Sequence, residues 1–354
     1  MRTTPPFHPS RSDRATPRQR AAALRLGARL VGAYRIRPLV RPLDRATLLL
    51  VLRRYAVLLM LVILFIVLSF ASSAFLRPQN LLNIVNEQSY LAIVAAAGTL
   101  VIISGGFDLS TGAIAQVANV CAAWIAVHYS SPLGLMVAPI LGLALGILNG
   151  IIITRLHVHS FLATLASSLV YSGLALLITN GFLISVGDPS FTVLGQGNIG
   201  PIPIAVVVFV AFFILATLLL HRTVLGRYIF AVGGNREAAE LSGVRVDLVT
   251  IAAFAFSGLA SGLAAAILVS RVASGEPQTG ADITLNAIAA VILGGTSIYG
   301  GEGAVWRSVA GVFLLALIDN GFNLLSANPF YKYLVTGVVI VSAVALSAAG
   351  GRRR

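Results

Sequence analysis

Charged residues are scarce in this chain. Asp, Glu, Lys and Arg make up 10% of its 354 residues, 57% of the residues are hydrophobic, and the mean hydropathy is +0.91. Soluble globular domains carry roughly 25% charged residues. Since so few charges could not coat the surface of a soluble fold of this length, the composition excludes a soluble domain. It predicts a protein whose bulk lies in a lipid bilayer.

Cysteine, lysine and the common catalytic motifs are also lacking. The single cysteine, Cys121, allows neither a disulfide within the chain nor a metal cluster built on thiols. A Walker A loop needs a lysine after glycine, and the only lysine, Lys332, stands between Tyr331 and Tyr333. No His-Glu-x-x-His, Gly-x-Ser-x-Gly or Asp-x-x-x-Asp pattern occurs. We therefore predict no catalytic or metal-binding residues, no cofactor bound by this chain and no enzymatic activity.

Positive charge is concentrated at the start of the chain. Residues 1–54 hold thirteen arginines against two acids, Asp13 and Asp44, which gives a net +11 of the total +13. We interpret 1–54 as a basic, largely disordered cytoplasmic tail. Basic tails can bind nucleic acid or anionic lipid. Because this one adjoins an apolar run, we expect it to hold the chain at the cytoplasmic surface and predict no nucleic acid partner.

Apolar runs after residue 54 predict an all-α integral membrane protein with about ten transmembrane helices. A helix needs about 20 residues to cross the roughly 30 Å hydrocarbon core. The membrane domain is expected over 55–349, followed by a basic cytoplasmic terminus at 350–354. The predicted spans are 55–75, 88–104, 111–130, 133–154, 160–182, 201–221, 248–270, 284–298, 303–325 and 331–349.

The distribution of arginine predicts the orientation of these spans. If the tail is cytoplasmic, alternation of ten spans places Arg155, the loop 222–247 and the terminal arginines on the same side. Cytoplasmic loops carry the excess of Lys and Arg in membrane proteins. We therefore predict a multi-pass membrane protein with both termini in the cytoplasm.

Two predicted spans are short and end in glycine pairs. These are the second, which ends at Gly105-Gly106, and the eighth, which ends at Gly294-Gly295. Backbone polar groups at membrane depth must be satisfied within the protein, so such breaks need shelter in a bundle or beside a cavity. Residues 101–106 are similar to 291–295, which indicates either a weak internal repeat of the kind found in transporters or a chance likeness of simple sequences.

The loop 222–247 is the longest polar stretch of the membrane domain. Asn235 is a favoured N-cap, Glu237 suits the positive end of a helix dipole, and Gly243 is placed to end a helix. Ala238 and Ala239 between them are strong helix formers. The loop is predicted to form a two-turn surface helix. Its small residues would let another protein approach closely, and a plain amphipathic connector is the alternative.

Two further stretches combine glycine with polar residues. In 105–112, Asp108 or Ser110 can cap the third span, although an acid so near the membrane is often functional. The segment 286–303 is dense in glycine, which suits close helix packing or backbone that lines a path.

All three stretches resemble signatures of one family, the permease subunits of ATP-binding-cassette (ABC) importers of the ribose/xylose/galactose type. The stretch 105–112 resembles the family's Gly-Gly-Ile-Asp-Leu-Ser-Val-Gly, with Phe107 and Thr111 as departures. Together the resemblances cover about 55–345. They imply that the loop docks on the ATP-binding subunit and transmits closure of its nucleotide site. The residues implied in this coupling are Gly226, Arg227, Asn235, Arg236, Glu237, Ala238, Ala239 and Gly243.

The resemblance implies an importer of a monosaccharide or related polyol in the bacterial inner membrane. Its expected partners are one or two ATPase chains that hold ATP and magnesium, a second permease, identical or not, and a periplasmic or lipid-anchored binding protein. Helix breaks and polar residues at membrane depth are candidates for the translocation path: Gly105, Gly106, Asp108, Ser110, Asn119, Asn149, Asn286, Gly294, Gly295 and Thr296.

Other kinds of transporter are the alternatives. One is a branched-chain amino acid permease of the same superfamily. Another is an ion-coupled carrier, which would need buried ionisable residues. Asp319 is the best candidate for such a role, with Glu87 and Asp108 near span ends.

Overall fold

A computed structural model describes residues 55–280, 282–328, 330–332, 334–339 and 341. The predicted tail 1–54, most of the predicted span 331–349 and the terminus 350–354 therefore lie outside the described residues.

The described residues are predominantly α-helical. Helices α2, α3, α4, α5, α7, α10 and α12 are long and apolar enough to cross a membrane, which confirms an all-α integral membrane protein. The helices are α1 Ala56–Ala71, α2 Pro78–Ile103, α3 Thr111–His128, α4 Ser131–Leu156, α5 Ser160–Thr179, α6 Val193–Gln196, α7 Ile204–Arg222, α8 Val224–Gly234, α9 Arg236–Leu241, α10 Val246–Val272, α11 Ile283–Leu293 and α12 Val305–Leu324.

Two predicted spans have different lengths in the structure. The second is not short: α2 has 26 residues and begins at Pro78, where proline suits the first helical position. The prediction that the eighth span crosses the membrane as a helix over 284–298 is wrong. Helix α11 has 11 residues, so at 1.5 Å per residue it covers roughly half of the hydrocarbon core. Helix α8 was not predicted at all, and it occupies the first half of the loop 222–247.

Helices α4 and α10 form the tightest pair in the bundle. Gly142, Gly146 and Gly150 recur every fourth residue on α4, and Gly258 and Gly262 do so on α10. A Cβ on Gly146 would overlap the carbonyl oxygen of Phe254 on α10, and one on Gly258 would overlap that of Gly142. The two backbones therefore touch directly, as small residues at four-residue spacing allow between membrane helices.

Short strands mark one end of this helix pair. Strand β1, Ile184–Ser185, pairs antiparallel with β4, Ser274–Gly275, directly after α10. Strands β2, Asn198–Ile199, and β3, Ile202–Pro203, pair with each other. Helix α9 lies at the other end of α10, next to its first residue. The two ends of the bundle are called the α9 end and the β4 end below.

Candidate functional site: the α9 end of the bundle

The structure confirms both predicted ends of the surface helix. The Asn235 Oδ1 accepts a hydrogen bond of 2.9 Å from the Ala238 N–H, as an N-cap does. At the other end, Gly243 has φ +84° and the Val244 N–H donates to the Ala239 carbonyl over 3.0 Å. This is the glycine-terminated geometry that ends a helix cleanly. Helix α9 therefore owes its boundaries to two local side-chain and backbone features.

Most of α9 faces away from the bundle. Ala239 is 5% exposed and seats the helix, whereas Leu241 is 84% exposed. Arg236 lies 3.5 Å from Asp247, but both side chains are more than half exposed, so this ion pair contributes little. The other exposed side chains of the helix are Glu237, Ala238 and Glu240. The exposed surface of α9 therefore consists of the apolar Leu241 side chain surrounded by charged side chains.

Helix α8 connects α7 to α9 through a tight turn. Thr223 accepts a 3.1 Å hydrogen bond from the Gly226 N–H and so caps α8. A Cβ on Gly226 would overlap the carbonyl oxygen of Leu220, so glycine is needed for the turn from α7 into α8. Arg227 is exposed. A groove of about 450 Å³ runs beside α9, with Tyr228 and Arg245 among its lining residues.

Three glycine-containing segments meet directly before α9. We call Gly105, Gly233, Gly234, Gly300 and Gly301 the glycine junction. They belong to the end of α2, the end of α8 and the segment that leads into α12. The Gly301 N–H donates to the Ile103 carbonyl over 2.8 Å. A Cβ on Gly233 would overlap that same carbonyl oxygen, and one on Gly300 would lie 2.7 Å from the Gly233 oxygen. The chain before α9 is therefore in backbone contact with the end of α2 and with the segment that leads into α12.

The two predicted glycine pairs end their helices in the same way. After α2, Gly105 has φ +84° and the Gly106 N–H donates to the Val101 carbonyl over 3.0 Å. After α11, Gly295 has φ +76° and the Thr296 N–H donates to the Val291 carbonyl over 3.3 Å. Both are six-to-one closures around a left-handed residue. The likeness of 101–106 to 291–295 thus has a shared local geometry.

Asp108 is buried in a network that joins four helices. Its side chain is 5% exposed, and its Oδ1 accepts a 3.0 Å bond from the Ser110 N–H. Its Oδ2 accepts a 2.7 Å bond from the Ser257 hydroxyl on α10. Asn149 on α4 donates to the Ser110 Oγ over 2.7 Å and accepts from the Tyr171 hydroxyl on α5 over 2.9 Å. Through these bonds the network braces the start of α3 against α10, α4 and α5.

Of the two predicted caps of the third span, Asp108 accepts the Ser110 N–H, whereas Ser110 precedes α3 without capping it through its side chain. The Ser110 side chain bonds Asp108 instead. The Gly112 N–H donates to the Thr284 Oγ1 of α11 over 2.8 Å. Upstream, the Leu109 N–H donates to the Thr164 Oγ1 of α5 over 3.0 Å. Neighbouring helices thus satisfy the backbone of the break, as its membrane depth requires.

The remaining candidates for the path fall into two groups. Thr296 is 1% exposed and packs against the Ser308 hydroxyl at 3.4 Å, so like Asn149 it already has a partner. Asn119 is also 1% exposed; its Nδ2 donates to the Glu276 carbonyl over 3.0 Å, but its Oδ1 has no partner among the described residues. Asn286 is exposed on α11. Gly294 packs its Cα against α12. These residues do not converge on one point.

Asp319, the main candidate for ion coupling, carries a paired charge. Its carboxylate lies 3.0 Å from the Lys332 ammonium, and the two side chains are 33% and 36% exposed. The neighbouring Asn320 exchanges hydrogen bonds of 2.8 and 3.2 Å with Asn80 of α2. The surroundings of Asp319 are therefore those of a structural contact between α12, α2 and the following chain.

Several contributors to this site were missed from sequence. Three of them are polar residues inside apolar runs: Ser257, Tyr171 and Thr284. Their local sequence does not indicate which distant residues they hydrogen-bond. The glycines of α4 and α10, in contrast, carried a readable signal in their four-residue spacing.

Comparison with known proteins finds a family model and relatives that match this sequence. The family model described as branched-chain amino acid transport system, permease component, matches residues 80–344. The ribose import permease protein RbsC of Bacillus subtilis is 39% identical over 299 residues, which are 84% of this chain and 93% of the relative. RbsC of Escherichia coli K12 is 37% identical over 292 residues, 81% of this chain and 91% of the relative.

A third relative is the L-arabinose transport system permease protein AraH of Escherichia coli K12. It is 36% identical over 293 residues, which are 82% of this chain and 89% of the relative. No solved structure matches the chain.

Proposed function

Because the chain belongs to the family of branched-chain amino acid transport system permease components, we propose that it carries a monosaccharide, a pentose in the first instance, into a bacterial cell. It is a multi-pass protein of the inner membrane and the permease of an ABC importer. The relatives aligned over more than four fifths of the chain are named for ribose and L-arabinose.

The observation that carries the coupling role is the placement of α9. A partner that pushes on its exposed face would move Gly233, and Gly233 is in backbone contact with Ile103 and Gly301. Displacement of α9 would therefore reach the end of α2 and the start of α12 without passing through flexible side chains. Coupling between distant sites needs such a contiguous packed connection with two arrangements.

The proposed partners follow from this placement. An ATP-binding subunit, which holds ATP and magnesium, would dock on α9 and the adjoining groove, with Gly226, Arg227 and the residues from Asn235 to Gly243 forming the contact region. This side, and both chain termini, would be cytoplasmic. A second permease would complete the path, and a binding protein would deliver sugar at the β4 end.

A branched-chain amino acid substrate is the second candidate, because it appears in the family's description. Uptake of radiolabelled ribose, L-arabinose, xylose and leucine, measured in cells deleted for the gene and complemented with it, separates the two. We expect complementation to restore uptake of a sugar and leave leucine uptake unchanged. Restored leucine uptake without any sugar uptake would establish the amino acid function instead.

The coupling role has its own test. Glu237→Arg and Gly243→Leu alter the exposed first turn and the left-handed end of α9, where a side chain is strained. We expect both variants to reach the membrane but to lose uptake while the ATPase continues to hydrolyse ATP. Wild-type uptake in both variants would refute the coupling role. Sugar uptake by the purified chain alone in liposomes with a proton gradient would show an ion-coupled carrier.

A further inference from the structure

The chain between β4 and α11 runs down the side of α3. Asn119 of α3 donates to the Glu276 carbonyl over 3.0 Å, and Thr111, at the start of α3, contacts Thr284 over 3.0 Å. Between them, a Cβ on Gly280 would lie 3.7 Å from the Cβ of Ala115. The described residues 276–280 and 282–284 thus descend along α3 from its middle to its first residue.

This path places non-helical chain inside the membrane. Asn119 is eight residues from Thr111 and nine from His128 at the two ends of α3. At 1.5 Å per residue, Glu276 lies about 12 Å above the start of α3 and about 14 Å below its end. Since α3 is long enough to cross the hydrocarbon core, the loop and the half-length α11 together replace a full transmembrane helix.

The side of this loop turned away from α3 is polar. Glu276, Gln278 and Asp282 are exposed, and Asn286 continues this polar set on the first turns of α11. Thr279 donates to one Glu276 carboxylate oxygen over 3.0 Å, while Asp282 makes no capping bond to α11. Lipid offers no hydrogen bonds, so exposed acids and non-helical backbone at this depth must face water or protein.

A second, independent observation points to a ligand beside the loop. The Asn119 carboxamide is 1% exposed and binds the Glu276 carbonyl through its nitrogen, but its oxygen has no partner among the described residues. A buried acceptor without a donor costs about 1–3 kcal/mol. A water molecule held between the loop and α3 would satisfy it, as expected where the loop borders an aqueous path.

We propose that Glu276, Gln278, Asp282 and Asn286 form the polar wall of the sugar path, with the two carboxylates accepting hydrogen bonds from sugar hydroxyls as the sugar passes. This rests on the proposed function. Ionised carboxylates are acceptors only and can each take several donors, which matches a ligand whose polar groups are mainly hydroxyls. A few weak sites in series also let a solute leave as readily as it arrives.

Cysteine accessibility tests the proposal in the assembled transporter. In a Cys121→Ser background that still imports sugar, Gln278→Cys and Leu169→Cys are compared in intact cells. Leu169 lies mid-way along α5 and is 72% exposed on an apolar face, so it serves as the lipid-facing control. We expect a charged methanethiosulfonate to modify Gln278→Cys, to reduce uptake of radiolabelled ribose at least tenfold, and to leave Leu169→Cys untouched.

The outcomes distinguish failure of the proposed function from failure of this inference alone. If the wild-type chain imports no sugar, the proposed function fails. If it imports sugar but Gln278→Cys resists the charged reagent and reacts only with a lipid-soluble maleimide, the loop is shielded from water by lipid or by another protein and only this inference fails. Modification of Gln278→Cys with uptake unchanged would also overturn it, because the residue would then lie outside the path.

The carboxylates have a separate test. Asp282→Asn keeps the shape of the side chain and removes its charge. We expect a loss of about tenfold in the ratio of maximal uptake rate to half-saturating ribose concentration, with ATP hydrolysis at the wild-type rate. Equal uptake kinetics in Asp282→Asn and the wild type, together with equal kinetics in Glu276→Gln, would show that the acids do not contact sugar.

Discussion

The most informative single substitution is Gly233→Ala in the glycine junction. A methyl group there would overlap the Ile103 carbonyl oxygen and lie 2.7 Å from the Gly301 nitrogen, the two atoms joined by a 2.8 Å hydrogen bond. The methyl must therefore separate the end of α2 from the segment before α12. Loss of one hydrogen bond costs about 0.5–1.5 kcal/mol and overpacking about 1–3 kcal/mol, so we expect destabilisation of about 2–4 kcal/mol.

Gly234→Ala is the matched control for this change. It adds the same methyl one residue later, where no atom of the described residues lies within 4 Å of the new Cβ. Alanine is the better helix former of the two residues, so this variant should be at least as stable as the wild type.

Thermal unfolding of the detergent-solubilised chain measures the difference between the two variants. We expect the midpoint of Gly233→Ala to fall by roughly 5–10 °C relative to Gly234→Ala. Uptake should fall with it, because the junction also transmits movement of α9. If the two variants unfold at the same temperature and transport equally, the backbone contact at Gly233 does not exist and the proposed transmission route is wrong.

Three further substitutions address other contacts. Gly258→Leu should prevent assembly of α4 with α10, and little folded protein should survive solubilisation. Gly173→Leu should yield normal amounts, because a Cβ at Gly173 meets no atom of the described residues within 4 Å. Asp108→Asn replaces an oxygen that accepts hydrogen bonds with a donor and should cost about 1–3 kcal/mol in thermal unfolding, more than Ser257→Ala. Asp319→Asn breaks a partly exposed ion pair worth at most about 1 kcal/mol, so uptake should persist; its abolition with the protein still folded would favour ion coupling.

The glycine junction gives the proposed importer a physical means of coupling. Backbone-to-backbone contacts cannot relax by side-chain rotation, so a displacement at α8 has to move α2 and the segment before α12 together. Asp108 lies just beyond the α2 break and is tied to α10 through Ser257. Movement of this helix break would therefore also pull on α10 and disturb its packing against α4 and α3.

The sequence alone shows that the protein spans a membrane and where most of its helices lie. Hydrophobic length is a property of the chain itself, because a segment of about 20 apolar residues is driven into the bilayer whatever its neighbours are. The ends of α9 are equally local: Asn235 and Gly243 act on backbone groups within five residues of themselves. The same holds for the glycine pairs that end α2 and α11.

Only the tertiary structure decided which segments meet. Asp108 and Ser257 are 149 residues apart, and the glycines at 105, 233 and 300 are near each other solely because α2, α8 and α12 pack there. The start of α2 was hidden because its first ten residues are polar enough to depress hydropathy, although they are helical in the structure. Chain that is not helical at membrane depth needs hydrogen-bond partners from elsewhere, so the loop 276–284 depends on Asn119 and Thr111 in another helix. Local apolarity places a segment in the membrane, but distant backbone and side-chain partners determine whether it crosses as a helix.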